Sequence, residues 1–149
     1  MKGFTLIELL ITMGIIAILL GLIFQNLLTV QHKTALNTSV DSLVSNLKSQ
    51  QIKAMVGEID GGGAVATGVY FESDKYILFR GQTYSPSNST NFSLALDRNL
   101  HFSSPGQTII FSPVSGDRAG GDVISIIDTS GGEQKQIRLN RYGVITNVN

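Results

Sequence analysis

The feature that most constrains this chain is an apolar run near its N-terminus. From Phe4 to Phe24 there are 21 residues, and Glu8 is the only charged one among them. A helix of that length spans about 31 Å at 1.5 Å per residue, close to the thickness of a bilayer hydrocarbon core. The run therefore predicts a single membrane-spanning helix, with Lys2 on the cytoplasmic side and the rest of the chain outside.

A secretory signal peptide is the first alternative for this segment, and it fits poorly. The charged region before the apolar run is only Met1 to Gly3, the run exceeds a typical signal, and no small-residue cleavage site occurs at residues 25–28. A simple membrane anchor, the second alternative, leaves Glu8 unexplained, because an acid at mid-bilayer costs about 2.5–3.5 kcal/mol. Glu8 is therefore expected to have a partner of opposite charge.

A cut after Gly3 would provide that partner. Phe4 would then carry an α-amine that is largely protonated at neutral pH, and Glu8, four residues later, would lie on the same helix face one turn away. The carboxylate would pair with the amine of its own chain or with that of a neighbouring copy. Since either charge would be costly if left unpaired in a low-dielectric assembly, the pair would fix the alignment of the copies.

A known processing motif is similar to residues 3–10, which read Gly3-Phe4-Thr5-Leu6-Ile7-Glu8-Leu9-Leu10. This stretch resembles the motif of type IV pilins and type II secretion pseudopilins. The resemblance implies that a prepilin peptidase cleaves between Gly3 and Phe4 and then methylates the Phe4 amine. It also implies that Glu8 is the acidic residue used in filament assembly.

The same resemblance implies where the chain acts and with what. The precursor would cross the bacterial inner membrane once, with its N-terminus cytoplasmic and its head outside, and then join a cell-surface or periplasmic filament. Its partners would be other pilin or pseudopilin subunits, the peptidase and the inner-membrane assembly machinery. Many major pilins have a proline near the end of the apolar run, where this chain has Gly21, Phe24 and Gln25. The missing proline favours a minor pilin or a pseudopilin.

Beyond Phe24 the pattern becomes amphipathic. Apolar residues recur there at the three-to-four spacing of a helix, at Leu36, Val40, Leu43, Leu47 and, two turns further on, Ala54-Met55. The spacing predicts one helix from Phe4 to about Val56, whose second half packs against a head. Gly57 is the predicted C-cap.

Strand-like patterns begin near Ala64. Residues 67–72 and 75–80 flank Ser73-Asp74 and predict a hairpin, and residues 81–93 are typical of a long surface loop. Further strands are predicted at residues 100–102, 108–112, 123–127, 136–139 and 142–145, with turns at 116–122 and 130–133.

The expected fold class is α+β, a long N-terminal helix packed on a mostly antiparallel sheet. The expected domains are a leader at residues 1–3, a helix at residues 4–56 and a β-rich head at residues 57–149. Residues 4–24 of the helix would be transmembrane and later filament core, and residues 25–56 amphipathic. The phrases TGVYF, KYILFRG and IRLNRYGVI resemble strands of the minor pseudopilin H and FimT-like subgroup.

No catalytic constellation stands out, so the sequence predicts no enzyme activity and no cofactor. The chain has no cysteine, and His32 and His101 are outside any metal-ligand spacing. Asp117, Asp122 and Asp128 are too irregularly spaced for a calcium loop and are expected to be solvated turn residues. The 11 basic and 11 acidic residues balance, which gives no electrostatic reason to expect a nucleic-acid partner.

A small basic cluster near the C-terminus keeps one alternative function open. Lys135, Arg138 and Arg141 would be the DNA contacts if the chain were a DNA-binding minor pilin; a pilus-tip adhesin is the related alternative. Strand alternation does not put all three on one face, so a solvated edge strand is the preferred interpretation. A structural filament subunit is accordingly the leading hypothesis.

Overall fold

The computed structural model describes residues 3, 5–57, 63–121 and 123–149, and the side chains of residues 23–32 fall outside that description. The chain divides into two compact units, Met1–Thr34 and Ala35–Asn149. Helix α1, Leu6–Val56, contributes residues to both units.

In the first unit, the described part of α1 presents an apolar surface. Every residue from Leu6 to Leu22 is solvent-exposed, and 12 of them are large hydrophobic residues. None of the helical stretches among the described residues combines the length and the apolar character that a membrane crossing requires. Two predicted limits of the membrane helix, Phe4 and the side chain of Phe24, lie outside the described residues.

The second unit contains two antiparallel sheets. The first sheet consists of β1 (Thr67–Phe71), β2 (Lys75–Arg80), β3 (Phe92–Ala95), β5 (Thr108–Phe111) and β6 (Arg118–Gly120), in the order β3-β2-β1-β5-β6. The second consists of β4 (Leu100–Phe102), β7 (Val123–Asp128), β8 (Gln134–Leu139) and β9 (Ile145–Val148), in the order β4-β7-β8-β9. The α+β expectation of a long N-terminal helix and a mostly antiparallel head is confirmed.

One face of α1 lies at the centre of the core. Of the six predicted stripe residues, Met55 is 45% exposed, and the other five are at most 3% exposed: Leu36, Val40, Leu43, Leu47 and Ala54. They belong to one buried cluster with residues of both sheets, among them Val69, Phe71, Ile109, Phe111, Ile124, Ile126 and Ile137. A polar contact also joins helix to sheet, since Asn46 Nδ2 donates to the hydroxyl of Tyr76 at 2.8 Å. The amphipathic stripe is therefore confirmed as the packing face of the helix at every predicted residue except Met55, which lies in the last turn and is exposed.

Helix α1 ends where the sequence predicts. Gly57 has φ = 81°, and its N–H donates to the carbonyl of Lys53 at 3.0 Å. Glycine adopts this left-handed conformation at little cost, and the bond closes the last turn. The predicted C-cap is confirmed, while residues 58–62 lie outside the described part of the chain.

Most predicted strands are present. In the hairpin, β1 pairs with β2 so that Thr67 lies opposite Arg80. The strands predicted from residues 100, 108, 123 and 136 correspond to β4, β5, β7 and β8. Three predictions are wrong: β3 begins inside the predicted loop, β6 lies inside the predicted turn at 116–122, and the last strand begins at Ile145 rather than at Tyr142.

Tertiary contacts explain these differences. β3 forms by pairing with β2, and three of its four residues are exposed. It directly follows a run of Ser, Asn and Thr residues that is typical of a loop, so pairing with β2 rather than its own sequence sets where it begins. Arg118 holds β6, since its Nη1 donates to two carbonyls of the same segment at 2.5 and 2.8 Å. β9 begins later in the chain than predicted because Asn140 extends the preceding turn. Its Oδ1 accepts the N–H groups of Tyr142 and Val144 at 2.9 and 3.0 Å.

A strained residue follows β5. Val114 has φ = 67°, and it is the one non-glycine residue of the described chain with a positive φ. A β-branched residue in this conformation is a genuine outlier, and the side chain is 72% exposed. Its N–H donates to the carbonyl of Ala54 at 3.0 Å and satisfies one of the free carbonyls at the end of α1. The strained backbone of Val114 therefore places an N–H group that caps α1, and it does not serve to bury the valine side chain.

Replacing Val114 with glycine is expected to cost less stability than the same replacement of a valine without strain. The left-handed conformation costs an L-residue roughly 1–2 kcal/mol, and glycine does not incur that cost. Val144→Gly is the matched control, because Val144 is also exposed but has no positive φ, and both variants gain the same freedom when unfolded. Chemical denaturation should show V114G to be more stable than V144G by about 1 kcal/mol. Equal stability of the two variants would show that the backbone at Val114 is not strained.

Candidate functional site at the start of the helix

The first turn of α1 holds the candidate site. The helix begins at Leu6, so Thr5 is its N-cap residue. The Glu8 N–H donates to Thr5 Oγ1 at 3.3 Å, and the Thr5 N–H donates to Glu8 Oε2 at 3.4 Å. In this reciprocal arrangement, a capping box, each side chain satisfies a backbone donor of the other residue. The Thr5 hydroxyl also donates to Glu8 Oε2, at 3.3 Å.

The carboxylate of Glu8 is suited to this position and still has room for a partner. A negative charge in the first turn is stabilised by the partial positive charge at the helix N-terminus. Within the described chain the carboxylate accepts hydrogen bonds from two donors, both on Thr5, whereas a carboxylate can accept about four. Glu8 is exposed, so a cation from another group can approach it.

The other predicted residues of this site lie just before the helix. Gly3 is exposed and outside regular structure, and nothing lies within 4 Å of the position that a Cβ would occupy. Phe4 lies outside the described residues. The roles of Gly3, Phe4 and Glu8 in cleavage, methylation and assembly stay predictions. Sequence reasoning missed Thr5, although the Thr-x-x-Glu spacing before an apolar run is a recognised signal of a helix start.

The structure separates the three basic residues near the C-terminus. On β8, Ile137 is buried, so Lys135 shares its face, and Arg138 lies on the opposite, exposed face. Arg141 follows in the turn, with its guanidinium 4.6 Å from the ring centroid of the next residue. The prediction that the three do not share a face is confirmed. The predicted edge strand is wrong, because the C-terminal residues form β9 and place β8 inside the sheet.

One acidic residue departs from its predicted role as a solvated turn residue. Asp128 is 2% exposed, and its Oδ1 accepts the N–H and the hydroxyl of Ser130 at 2.8 and 2.5 Å. It thereby stabilises the turn between β7 and β8. Asp117 is exposed, as predicted, and Asp122 lies outside the described residues. Within the described ranges, no group of three or more His, Asp or Glu side chains is placed to hold a metal ion.

Comparisons with known proteins point to the same N-terminal segment. Residues 1–24 match the family described as the prokaryotic N-terminal methylation motif. No curated protein and no solved structure matches the chain. The matched motif supports a subunit of the type IV pilin or pseudopilin kind, which is structural rather than catalytic. It implies processing by prepilin peptidase and assembly with other pilin subunits.

Removing the Thr5 hydroxyl is expected to fray the first turn of α1. Thr5→Ala loses the cap acceptor, a change that typically costs about 1 kcal/mol and would accelerate hydrogen exchange of the amides at residues 7–9 roughly five-fold. Thr12→Ala is the matched control, because the Thr12 hydroxyl only donates to the carbonyl of Leu9, at 2.9 Å, within the helix. If both full-length variants exchange at the same rate, the capping box does not hold this turn.

Proposed function

We propose that this chain is a minor pilin or pseudopilin, a structural subunit of a type II secretion pseudopilus or of a type IV pilus. The observation that carries the proposal is the methylation motif at residues 1–24. The exposed apolar surface of Leu6–Leu22 supports it, since lipid or the core of a filament would cover such a surface. The absence of a proline at the end of the apolar run favours a minor subunit over a major one.

The proposed maturation begins in the bacterial inner membrane. Residues 1–3 serve as the leader, and helix 4–24 spans the membrane with its N-terminus in the cytoplasm and the head, residues 57–149, outside. Prepilin peptidase cuts between Gly3 and Phe4 and methylates the new amine. The exposure of Gly3, with open space beside its Cα, is consistent with access by a peptidase. The assembly machinery then moves the helix from lipid into the core of the filament.

Glu8 supplies the charge that complements the new amine. Its Oε2 lies 3.4 Å from the Thr5 nitrogen, and Thr5 follows Phe4 directly in the chain. The capping box therefore holds the carboxylate close to the chain end that cleavage creates. A pair between this carboxylate and the amine of its own or a neighbouring copy is stronger in a low-dielectric core than in water. Since an unpaired charge there would be costly, the pair favours the alignment in which each amine meets a carboxylate.

The mature N-terminus tests the maturation. Mass spectrometry of the protein from cells with an active prepilin peptidase should give a chain that begins at Phe4 and is heavier by one methyl group. Gly3→Leu should retain Met1, because the motif requires a small residue before the cut. A wild-type protein that retains Met1, or one that is cut beyond Phe24, would contradict the proposed function.

Two substitutions of Glu8 separate its cap from its charge. Glutamine can still accept the Thr5 N–H in a capping box, whereas leucine removes both the acceptor and the charge. Cleavage and membrane insertion should be unchanged in both variants. Incorporation into sheared filaments should fall in both, because neither offers a negative charge to the amine. Normal incorporation of Glu8→Gln would show that the charge is not needed and would remove the alignment role.

A further inference from the structure

A pocket lies between α1 and the first sheet, within the unit Ala35–Asn149. It adjoins β3, an edge strand of that sheet, and is called the α1–β3 pocket below. Its volume is about 320 Å³, within the range of small-molecule sites. The lining side chains that matter here come from the helix, from β2 and from the start of β3: Gln50, Lys53, Leu78, Arg80, Thr90 and Phe92.

A buried amide lines this pocket. Gln50 is only 4% exposed, and its backbone carbonyl accepts a hydrogen bond from the Thr67 hydroxyl at 2.7 Å. Its side-chain amide, in contrast, forms no hydrogen bond with the described part of the chain. Most buried polar side chains have a partner, because an unpaired one is unfavourable. The NH2 group and the oxygen of Gln50 are therefore available to a molecule in the pocket.

A cation lies next to this amide. Lys53 follows Gln50 by three residues and so shares its face of α1. Its side chain is exposed, and its ammonium group has no ion-pair partner among the described residues. Arg80 also lines the pocket, but it has a further interaction of its own, so the available positive charge is assigned to Lys53. No acidic residue is among the described residues that line the pocket.

The nearby C-terminal end of α1 is compensated by other groups. Free carbonyls at such an end carry a partial negative charge, which would repel an anion. Here the carbonyl of Lys53 accepts the N–H of Gly57 at 3.0 Å, and that of Ala54 accepts the N–H of Val114 at 3.0 Å. The ammonium group of Lys53 adds a full positive charge in the same turn. The charges around the pocket therefore favour an anion.

The opposite wall of the pocket is apolar. Leu78 of β2 lies opposite Phe92 of β3, so the two side chains are neighbours on one face of the sheet. That face is the one that packs on α1, because Tyr76, two residues before Leu78, accepts a hydrogen bond from Asn46 of the helix. Phe92 is nevertheless 61% exposed. An apolar group in the pocket would cover part of its ring.

We propose that the α1–β3 pocket binds a small organic carboxylate that carries an apolar group. The carboxylate accepts a hydrogen bond from the Gln50 amide and pairs with the Lys53 ammonium group, while the apolar group lies against Leu78 and Phe92. An inorganic anion would leave the apolar wall uncovered, and an alcohol would leave Lys53 without a counter-charge. The site goes beyond the proposed function, since it lies in the second unit and uses no residue of the methylation motif.

Hexanoate is the probe for this site. The full-length protein is kept in a nonionic detergent, and the side-chain amide signals of its glutamines are followed by NMR while hexanoate is added. We expect the Gln50 signals to shift and to saturate. Hexanol, which has the same apolar chain but no charge, should bind several-fold more weakly. Gln51 is an internal reference, because its amide already donates to the carbonyls of Gly116 and Tyr142.

Variants of the helix separate the two polar contacts, with the shift of a Leu78 methyl signal as the common readout. Lys53→Met keeps an apolar stem without the charge and should weaken hexanoate binding up to about five-fold, the size of an exposed ion pair. Lys53→Arg should retain binding. Gln50→Met removes the amide and should weaken binding about ten-fold. Lys48→Met is the matched control, because it removes the same charge from α1 outside the pocket.

Three results would overturn the inference. In the first, the Gln50 signals do not move, or hexanol moves them as strongly as hexanoate. In the second, Lys53→Met and Lys48→Met weaken binding equally. In the third, hexanoate binds only when Glu58→Gln and Asp60→Asn are introduced together, which would identify carboxylates of the chain itself as the occupants. None of these results depends on cleavage before Phe4, so the proposed function stands or falls separately.

Discussion

The burial of one face of α1 against two small sheets is the contact on which the second unit depends. Its strands are only three to six residues long, and a sheet of this kind needs a covering layer on its apolar face. Leu36, Val40, Leu43 and Leu47 provide that layer. Each such side chain contributes about 1.5–3 kcal/mol when buried, so the four together match the net stability of a typical domain, about 5–15 kcal/mol. No disulfide assists, since the chain has no cysteine.

The first turn of the helix shows how one residue serves two requirements. Glu8 satisfies a backbone donor of Thr5, a role that needs no second copy. A glutamine could make the same hydrogen bond, so the cap by itself does not require a charge in an apolar run. In the proposed maturation, the charge meets the amine that cleavage before Phe4 would create. Cap and charge are therefore successive uses of the same carboxylate.

The sequence was informative where a local rule and the tertiary structure agree. Periodicity predicted α1 and its end at Gly57, and alternation predicted the hairpin of β1 and β2. The sequence-based predictions failed where contacts outside the local pattern determine the structure. β3 forms because it pairs with β2, and β6 is stabilised by the hydrogen bonds of Arg118. Val114 could not be predicted at all, because valine is disfavoured in the conformation that it adopts.

For the candidate site, the motif can be recognised in the sequence, and the Thr-x-x-Glu spacing also indicates the Thr5 cap. The packing of two turns against α1 cannot be predicted from the sequence, because it joins residues from opposite ends of the second unit. The contact depends on two glycines, because a side chain at either position would collide with α1. A Cβ on Gly143 would lie 2.5 Å from Gln51 Nε2, and one on Gly116 would lie 2.7 Å from Met55.

Because the backbone of these turns lies directly against α1, nearby apolar side chains such as Val144 are exposed to solvent. Gln51 fixes the two turns, since its Nε2 donates to the carbonyls of Gly116 and Tyr142 at 3.1 and 2.7 Å. Side chains such as Val144 are thus held in place by the backbone of the same copy. The exposed surface around Val144 is therefore built on a backbone that the packing of α1 already fixes.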